Sequence, residues 1–591
     1  MKSNMRFLEL DNDLVPIRAA SMLTVTSAIL FLGTVLAYPY PDPDPVSKTT
    51  SQHSIHALSI TTTLGEVKGT LLTTRLGKTI HAYQGLRYAK APIKELRFKP
   101  PVPAEKWDNI FNATVDGAAC PQPNVDHTSE DCLFLNVYTT KIPKANDNPK
   151  RPVLVYFHQG EFHSSSGRSL DIGPQYLLDH EIVLVTPNYR LGALGFLSTG
   201  DKEATGNYGL KDQVQALKWV KENIAAFGGD PDSVTIAGYC AGAASVGLHL
   251  VSPLSKDLFH KAIVMSGSVY GNWPLKSNQL DLAKKQAKLV GCTDETSTGI
   301  VKCLREKSAD EIANSLAGLK EFGKEPIIHW SPVIEPNLDQ STFLTDSPVE
   351  LVLKGKMKKV PILVGITADE FGGRAFDLIS NETLLNDLDR EFEKYAPIAF
   401  IYERGTEKSK SISKSLKSFY FDGKTIDKTA LPALAQLFSD ALVGFNVNRF
   451  VEVMSQENDK VFYYNFNYKG RYSSFYLPDS NNTSPYGASH LDDLIYLFHL
   501  PKFPLFKETD PEASIVEKMT KMWSNFVIYG MPIKEPCEML DNVKWDAYKA
   551  GTQFYMDIGN KLLLSEKLFD KRYERWRKLY PLNENETPST G

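Results

Sequence analysis

Short apolar runs rich in β-branched residues alternate with longer amphipathic stretches through most of the chain. Five of these runs have the length and composition of buried strands, namely residues 153–158, 182–187, 234–237, 262–265 and 360–366. The alternation of strands with helical stretches is typical of a mostly parallel sheet covered by helices on both faces. The sequence therefore predicts an α/β fold with one large central sheet.

The N-terminal segment, residues 1–37, differs from this pattern. Residues 19–37 are uncharged and mostly apolar, follow Arg18, and end in the small residue Ala37. Small residues at that place indicate a cleaved signal peptide. A run of this length also just spans a bilayer, so an uncleaved anchor, with the rest of the chain outside as in a type II membrane protein, is the alternative. Translation starting at Met22 would leave a short signal peptide.

The body of the chain begins after a proline-rich linker. Residues 38–55 include prolines at alternate positions, which favour an extended conformation. From residue 56 to residue 580 no second linker, repeat or low-complexity tract interrupts the pattern, so we expect one domain there. A polar tail, 581–591, follows it.

Composition and charge narrow the classes of function. The chain has 591 residues and a formal net charge of −4, with no basic block. We therefore expect no nucleic-acid partner. The sequence contains no cluster of metal ligands, no glycine-rich phosphate loop and no dinucleotide fingerprint, so we expect neither a metal nor a cofactor.

Two further features suit a secreted protein. Of the six cysteines, Cys120 with Cys132 and Cys292 with Cys303 form close pairs that can staple short loops in an oxidising compartment. Cys240 and Cys537 have no evident partner. Asn-x-Ser/Thr acceptors for glycans occur at Asn112, Asn381, Asn481, Asn482 and Asn585.

One motif carries candidate chemistry. A short β-branched strand runs into Gly238-Tyr239-Cys240-Ala241-Gly242, and a helix of small residues follows. Flanking glycines permit a tight turn from strand to helix, which exposes the central side chain at the helix N-terminus. The positive end of the helix dipole favours a thiolate there. Cys240 is therefore the candidate nucleophile.

The segment 206–246, GNYGLKDQVQALKWVKENIAAFGGDPDSVTIAGYCAGAASV, resembles the type-B carboxylesterase and cholinesterase family, including insect carboxylesterases. Further segments similar to that family follow its order, namely 83–85, 96–101, 129–138, 494–498 and Trp545. The resemblance implies an α/β-hydrolase fold. It also implies disulfides Cys120–Cys132 and Cys292–Cys303, and an ion pair between Arg97 and Glu130.

The family's triad of serine, glutamate and histidine maps in part onto this chain. His490, in Gly487-Ala488-Ser489-His490, would be the general base, and Glu370, in Ala368-Asp369-Glu370-Phe371, would orient the imidazole. Phe371 stands where the family has a glycine, which leaves Asp369 as a second candidate for the acid. The family's serine falls on Cys240.

The oxyanion loop differs as well. The family's His-Gly-Gly-Gly-Phe appears here as residues 158–162, His-Gln-Gly-Glu-Phe. By resemblance the backbone N–H groups of Gly160, Glu161 and Ala241 would form the oxyanion hole. At about 4 Å and an effective dielectric near 20, the Glu161 carboxylate would oppose the developing oxyanion by about 4 kcal/mol, comparable to removing one donor.

Two functions therefore compete. The changes at Cys240, Gln159 and Glu161 favour a carboxylesterase-family protein with a degenerate site and little or no esterase activity, kept for binding a hydrophobic small molecule or an extracellular protein. The family contains non-catalytic adhesion proteins of this kind. The alternative is an active hydrolase of apolar carboxylic esters that uses a Cys240-His490-Glu370 triad.

Overall fold

The structure is a computed structural model that describes residues 58–582, except 145–146, 274, 278 and 339–340. All of these residues belong to one compact unit. The predicted signal or anchor segment 1–37, the linker 38–55 and Asn585 lie outside the described residues.

Eleven strands form the main sheet, in the order β14-β13-β12-β11-β10-β9-β7-β8-β6-β4-β3. The strands are β1 (Ser59–Thr61), β2 (Glu66–Lys68), β3 (Thr70–Thr73), β4 (Thr79–Arg87), β5 (Phe111–Asn112), β6 (Phe134–Thr139), β7 (Arg151–Phe157), β8 (Val183–Pro187), β9 (Gly229–Tyr239), β10 (Lys261–Met265), β11 (Ile362–Thr367), β12 (Val461–Phe466), β13 (Phe554–Ile558) and β14 (Leu562–Glu566). Strands β1, β2 and β5 form a separate small sheet.

The centre of the main sheet is parallel. Strands β8, β7, β9, β10, β11, β12 and β13 run in one direction, whereas β6, β4 and β3 at one edge and β14 at the other pair antiparallel. The five predicted strands correspond to β7 to β11. The central strands are buried almost throughout, because helices cover both faces of the sheet. The predicted α/β fold class is confirmed.

Fifteen α-helices lie in the described part of the chain. They are α1 (Gly192–Phe196), α2 (Tyr208–Asn223), α3 (Ala241–His249), α4 (Leu280–Leu289), α5 (Ser297–Glu306), α6 (Ala309–Asn314), α7 (Pro348–Leu353), α8 (Gly373–Ile379), α9 (Glu382–Arg390), α10 (Phe392–Ala399), α11 (Glu407–Phe421), α12 (Leu431–Ser439), α13 (Phe445–Ser455), α14 (Ala513–Tyr529) and α15 (Asp570–Leu579). Short 3-10 turns occur at Lys94–Leu96, Leu177–Asp179, Ile224–Phe227, Pro253–Ser255, Ser315–Leu319, Glu370–Gly372, Lys428–Ala430, Asp493–Tyr496 and Glu538–Leu540.

A π-helical segment, Asp440–Gly444, joins α12 to α13. Together with its neighbours it forms the helical run Lys428–Ser455, which is long and apolar enough to cross a membrane by length and composition. In the most apolar window of this run, 67% of the residues are buried inside the protein, as is usual for a core helix.

Covalent and ionic links fix the loops at one end of the sheet. Disulfides join Cys120 to Cys132 and Cys292 to Cys303. The Arg97 guanidinium forms a bidentate pair with Glu130, with Nε donating to Oε1 at 2.7 Å, and Nη1 donates to the carbonyl of Leu304 at 2.8 Å. The loop around Arg97 is therefore bound to the end of α5.

Candidate active site

The residues singled out in the sequence meet at one edge of the sheet. Cys240 follows β9, Glu370 follows β11, and His490 lies in the connection that follows β12. The loop that begins at His158 follows β7. These strands are parallel, so their carboxyl ends lie at the same edge, where ligand sites of α/β proteins normally form.

Cys240 occupies a strained turn between β9 and α3. Its backbone has φ 53° and ψ −114°, and its N–H donates to the Met265 carbonyl at 2.9 Å. A non-glycine residue in such a conformation costs on the order of 1–3 kcal/mol and persists only where its surroundings impose it. The partly exposed thiol is therefore held at the N-terminus of α3.

The two glycines of the turn are required by space. A Cβ on Gly238 would lie 2.2 Å from the carbonyl carbon of Gly242, and a Cβ on Gly242 would lie 2.0 Å from the Phe157 carbonyl oxygen. Any side chain at either position would push α3 away from β7 and β9. The sequence signal Gly-x-Cys-x-Gly thus has a direct steric cause.

His490 is bound to Glu370 by a short hydrogen bond. Its Nδ1 lies 2.5 Å from Glu370 Oε2, and its backbone N–H donates to the Glu370 carbonyl at 3.2 Å. The other carboxylate oxygen of Glu370 accepts from the Thr367 N–H at 2.8 Å. Both carboxylate oxygens are therefore engaged, which fixes the imidazole ring relative to the end of β11.

Asp369, the alternative acid, has a different position. Its Oδ2 accepts from the backbone N–H of Ala488 at 3.1 Å, and its own N–H donates to the Ala488 carbonyl at 3.0 Å. Asp369 therefore ties the loop that carries His490 to the turn that carries Glu370, and does not contact the imidazole.

Aromatic rings enclose the imidazole. The Phe371 ring stacks on the His490 ring with centroids 4.0 Å apart, and the Tyr239 ring meets it edge-on at 5.0 Å. Phe371, the departure from the family's glycine, thus shields the histidine and leaves Glu370 in place beside it. This role follows only from the tertiary contact.

The charge state of His490 is set by its neighbours. Burial lowers the pKa of His490, but the negative charges of Cys240 and Glu370, together with side-chain hydrogen bonds to both, outweigh burial and raise the pKa to about 10. The imidazole is therefore protonated at neutral pH and lies between Cys240 and the Glu370 side chain.

The oxyanion loop has positive φ at three consecutive residues, Gly160, Glu161 and Phe162. Gly160 has φ 112°, and a Cβ there would lie 2.1 Å from the Ser164 carbonyl oxygen, so only glycine fits. Glu161 has φ 50°, which a side chain tolerates at modest cost. A side chain at 161 therefore does not forbid the backbone conformation that could present its N–H.

Three backbone donors remain available in this region. The N–H groups of Gly160, Glu161 and Ala241 donate to no protein acceptor within the described ranges. Ala241 is the first residue of α3, where an N–H has no acceptor within the helix. These groups can bind a developing oxyanion.

The Glu161 side chain lines the same pocket as Cys240. Its Oε2 lies 3.7 Å from His163 Nε2. Burial lowers the pKa of His163, and the Glu161 charge only partly opposes this, so the His163 ring is neutral at pH 7. Burial lowers the pKa of Lys320, and the Glu161 charge opposes this only weakly. The carboxylate charge is only partly balanced.

A mainly apolar pocket of about 480 Å³, counted with its open mouth, surrounds the thiol. Its apolar walls come from Trp273, Ile327, Ile328, Phe371, Ile401, and Ala441 to Val443 of the π-helical segment. The widened π turn brings these last side chains into the pocket, as π-bulges often do at functional sites. Neither the π segment nor these wall residues carry a signal in the sequence that places them near Cys240.

A second buried carboxyl group lies behind His490. Asp493 accepts from Tyr464 Oη at 3.1 Å and is fully buried. Burial and the nearby Glu370 charge raise the pKa of Asp493 to about 7, although hydrogen bonds from Tyr239 and Tyr464 lower it. In the sequence, only its place three residues after His490 marks Asp493.

Among the described residues, no group of three or more His, Cys, Asp or Glu side chains is arranged to hold a metal ion. The groups that the described site brings together are the Cys240 side chain, the His490 imidazole and backbone N–H donors at the N-terminus of α3. This set suits nucleophilic attack on an electrophilic carbon.

Known proteins share this architecture. Residues 56–576 match the model of the carboxylesterase family. The chain is 38% identical over 507 residues to juvenile hormone esterase of Tribolium castaneum, covering 82% of this chain and 85% of that protein. It is 37% identical over 491 residues to esterase E4 of Myzus persicae, covering 80% and 87%.

A solved structure of a related protein has the same fold. The crystal structure of juvenile hormone esterase from Manduca sexta, with OTFP covalently attached, superposes with a TM-score of 0.78 at 27% identity and covers 88% of this chain and 99% of that one. The likeness confirms the predicted α/β-hydrolase fold. By the family match, the two relatives and this structure together, the chain belongs to the carboxylesterase family.

Proposed function

We propose that this protein hydrolyses apolar carboxylic esters with Cys240 as nucleophile, at a rate limited by its altered oxyanion loop. By likeness to the family, Cys240 stands where a serine is usual. The observation that carries the proposal is the position of His490, which is bound to Glu370 on one side and interacts with Cys240 on the other.

Acylation would begin with attack of the Cys240 thiolate on the ester carbonyl carbon. The new S–C bond forms while the carbonyl π pair moves to oxygen, where the N–H groups of Gly160, Glu161 and Ala241 receive the charge. Collapse of this intermediate expels the alkoxide. The alkoxide takes the proton from His490 and leaves as the alcohol.

Deacylation would use water in the same site. His490, now neutral, accepts a proton from water as the oxygen attacks the thioester carbonyl carbon. Collapse breaks the S–C bond, releases the acid and restores the thiolate beside the imidazolium. Glu370 remains ionised throughout and stabilises the imidazolium in both halves of the reaction.

The pocket favours an apolar substrate. Its wall consists mostly of aliphatic and aromatic side chains. Such a pocket gains binding free energy from each methylene that it removes from water, about 0.8 kcal/mol per group. Esters with hydrocarbon acyl or alcohol groups fit this environment.

Glu161 limits the rate in this proposal. Its carboxylate lines the pocket with Cys240, and its side chain is 25% exposed, so solvent screens part of its charge. We expect the net opposition to the oxyanion to be about 1–3 kcal/mol, below the unscreened value. This corresponds to a loss of roughly ten- to hundred-fold in acylation rate.

A second candidate function is binding without turnover. The observation that favours it is again Glu161, a partly uncompensated carboxylate in a pocket where negative charge would develop. In that case the protein holds a hydrophobic small molecule, or its exposed face binds an extracellular protein, and the triad residues persist as a hydrogen-bonded cluster.

We also propose that the protein acts outside the cell. The two disulfides suit an oxidising compartment. Four of the predicted glycan acceptors, Asn112, Asn381, Asn481 and Asn482, are exposed. The side chain of Asn381 also accepts from the Leu384 N–H and caps α9.

The two candidate functions are separated by assaying the purified chain with short-chain aryl esters beside Cys240→Ala and Cys240→Ser. A hydrolase releases alcohol, shows an acyl mass on Cys240, and loses both in Cys240→Ala. If the parent chain neither releases alcohol nor acquires an acyl mass, hydrolysis through Cys240 is excluded and the binding function is the remaining proposal.

A further inference from the structure

The candidate nucleophile of this site is sulfur, and the thiol lies partly exposed at the N-terminus of α3, in the wall of the pocket. Its neighbour is the buried imidazole of His490, whose pKa is raised by Cys240 and Glu370. A thiolate is a soft, polarizable nucleophile that adds readily to electron-poor carbon–carbon double bonds, a reaction for which a hydroxyl group is a poor reagent. This reactivity is distinct from attack on an ester carbonyl.

The other requirements of that addition are present beside the thiol. His490 carries a proton that can be given up, since the charges of Cys240 and Glu370 keep it protonated at neutral pH. The free N–H groups of Gly160, Glu161 and Ala241 can receive negative charge on a carbonyl oxygen. The site therefore combines a soft nucleophile, an acid and an anion-binding group.

The pocket supplies selectivity for apolar molecules. It is open to solvent at its mouth, and its wall is mostly aliphatic and aromatic. Trp273 and Phe371 offer flat apolar surfaces, and Phe371 also packs against the imidazole that would donate the proton. A conjugated carbonyl compound with a hydrocarbon tail can place its tail here while its polar end meets the donors.

From this combination we propose that the site captures apolar α,β-unsaturated carbonyl compounds by conjugate addition to Cys240. The inference rests on the nucleophilic role of Cys240 in the proposed function, but not on ester hydrolysis. The ligand class is enones, enals and unsaturated esters that carry a hydrocarbon chain.

The addition is balanced within the site. The Cys240 sulfur forms a bond to the β-carbon of the ligand, and the carbon–carbon π pair moves to give an enolate whose oxygen faces the backbone N–H groups. His490 then transfers its proton to the α-carbon. No group leaves, so one ligand remains bound per protein as a thioether.

Because conjugate addition has no leaving group, its adduct forms in one step and remains on Cys240. An ester adduct must be hydrolysed in a second step, which Glu161 impedes by its charge, whereas the conjugate adduct is complete after one step. The enolate also spreads its negative charge over oxygen and carbon, so repulsion from Glu161 is smaller than for a localised oxyanion. The altered site is therefore better suited to capture than to turnover.

The test treats the full-length chain at pH 7 with pentyl vinyl ketone and, as a saturated control, ethyl pentyl ketone. Intact mass and peptide mapping follow addition at Cys240 and at Cys537, the other partly exposed free thiol. We expect Cys240 to react about ten-fold faster than Cys537, because only Cys240 has an imidazolium beside it. The saturated ketone should add no mass.

Variants and a second reagent test which groups make Cys240 more reactive than Cys537. Cys537→Ser should leave addition at Cys240 unchanged, Cys240→Ser should abolish it, and His490→Gln should slow it about ten-fold. Circular dichroism checks that each variant is folded. The preference for Cys240 over Cys537 should be larger with pentyl vinyl ketone than with iodoacetamide, which is small and polar.

Each other outcome counts against the inference. Equal rates at the two thiols overturn it, and an equal preference with both reagents shows a reactive thiol without recognition of apolar ligands. A parallel assay with an aryl ester separates this result from the proposed function. If the ketone adds to Cys240 but no acyl adduct forms, ester hydrolysis is excluded and conjugate addition is retained. If an acyl adduct forms but the ketone does not add, conjugate addition alone is excluded.

Discussion

Glu370 Oε2 lies 2.5 Å from His490 Nδ1, so one short hydrogen bond joins two residues that are 120 positions apart in the chain. Both side chains are buried, and the Glu370 backbone carbonyl also accepts from the His490 N–H. The neighbouring Asp369 binds backbone groups of Ala488 instead. The two adjacent acids therefore have separable roles.

This separation gives the first prediction. Glu370→Gln removes the charge that stabilises the imidazolium, so kcat/KM for an aryl ester should fall by about 10²- to 10⁴-fold. Asp369→Asn is the matched control, because it keeps an acceptor for the Ala488 N–H. It should lower kcat/KM by less than about ten-fold. Steady-state kinetics on both variants make the comparison. A larger loss in Asp369→Asn would assign the acid role to Asp369.

The second prediction concerns Glu161. Glu161→Gln keeps the size and the backbone conformation of the residue but removes its charge, and should raise kcat/KM by roughly ten- to hundred-fold if the carboxylate opposes the oxyanion. Glu161→Gly should give a gain at least as large, since glycine adopts φ 50° without strain. Kinetics of acylation and of acyl-enzyme decay are measured separately.

A different result would change the role of Glu161. If Glu161→Gln still acquires an acyl group on Cys240 but releases it more slowly than the parent chain, the carboxylate acts as a base that activates water in deacylation. The charge would then assist the second half of the reaction.

The third prediction follows from the protonation of His490. Burial lowers the pKa of His490, but the charges of Cys240 and Glu370 raise it to about 10, so the imidazolium persists from pH 7 to pH 9 and is lost as the pH rises through the folded value. Alkylation of Cys240 by iodoacetamide should therefore be nearly flat between pH 7 and pH 9. A thiol without a charged partner gains roughly twenty-fold over this range.

His490→Gln is the control for this profile. Without the imidazolium the rate at Cys240 should rise with pH as at an ordinary thiol. A steep profile in the parent chain, equal to that of the variant, would show that the two side chains do not form an ion pair.

The fourth prediction concerns stability. Burial raises the pKa of Asp493 to about 7, above its unfolded value, so the native state binds an extra proton between about pH 4 and pH 7 and loses stability as the pH rises through that window. Asp493→Asn carries no charge at any pH. The substitution should leave the free energy of unfolding nearly unchanged at pH 4 and should raise it at pH 8, by at most about 4 kcal/mol.

Urea unfolding at the two pH values measures this difference, with the exposed residue Asp479 as a control site. Asp479→Asn should change neither value. A variant Asp493→Asn that is equally or less stable than the parent chain at pH 8 would show that the carboxylate is ionised and well paired in the native state.

Much of this protein could be predicted from local sequence patterns. The apolar runs 153–158, 182–187, 234–237, 262–265 and 360–366 specify strands because their side chains need a buried sheet. Gly238 and Gly242 specify the sharp turn at Cys240, since the adjacent backbone leaves no space for a Cβ. These features depend on neighbours along the chain or on the general need to bury apolar surface.

The contacts and charge states of the site residues depend on groups far apart in the chain, so only the tertiary structure determines them. Only the tertiary structure shows that Glu370 binds His490, whereas Asp369 binds the backbone of Ala488. It also stacks the Phe371 ring on the imidazole. The Glu161 carboxylate and the π-helical segment come into the pocket beside Cys240 in the same way. The raised pKa of Asp493 also needs burial next to Glu370. Such properties arise from charge, burial and distance between segments far apart in the chain, and no local pattern specifies these quantities.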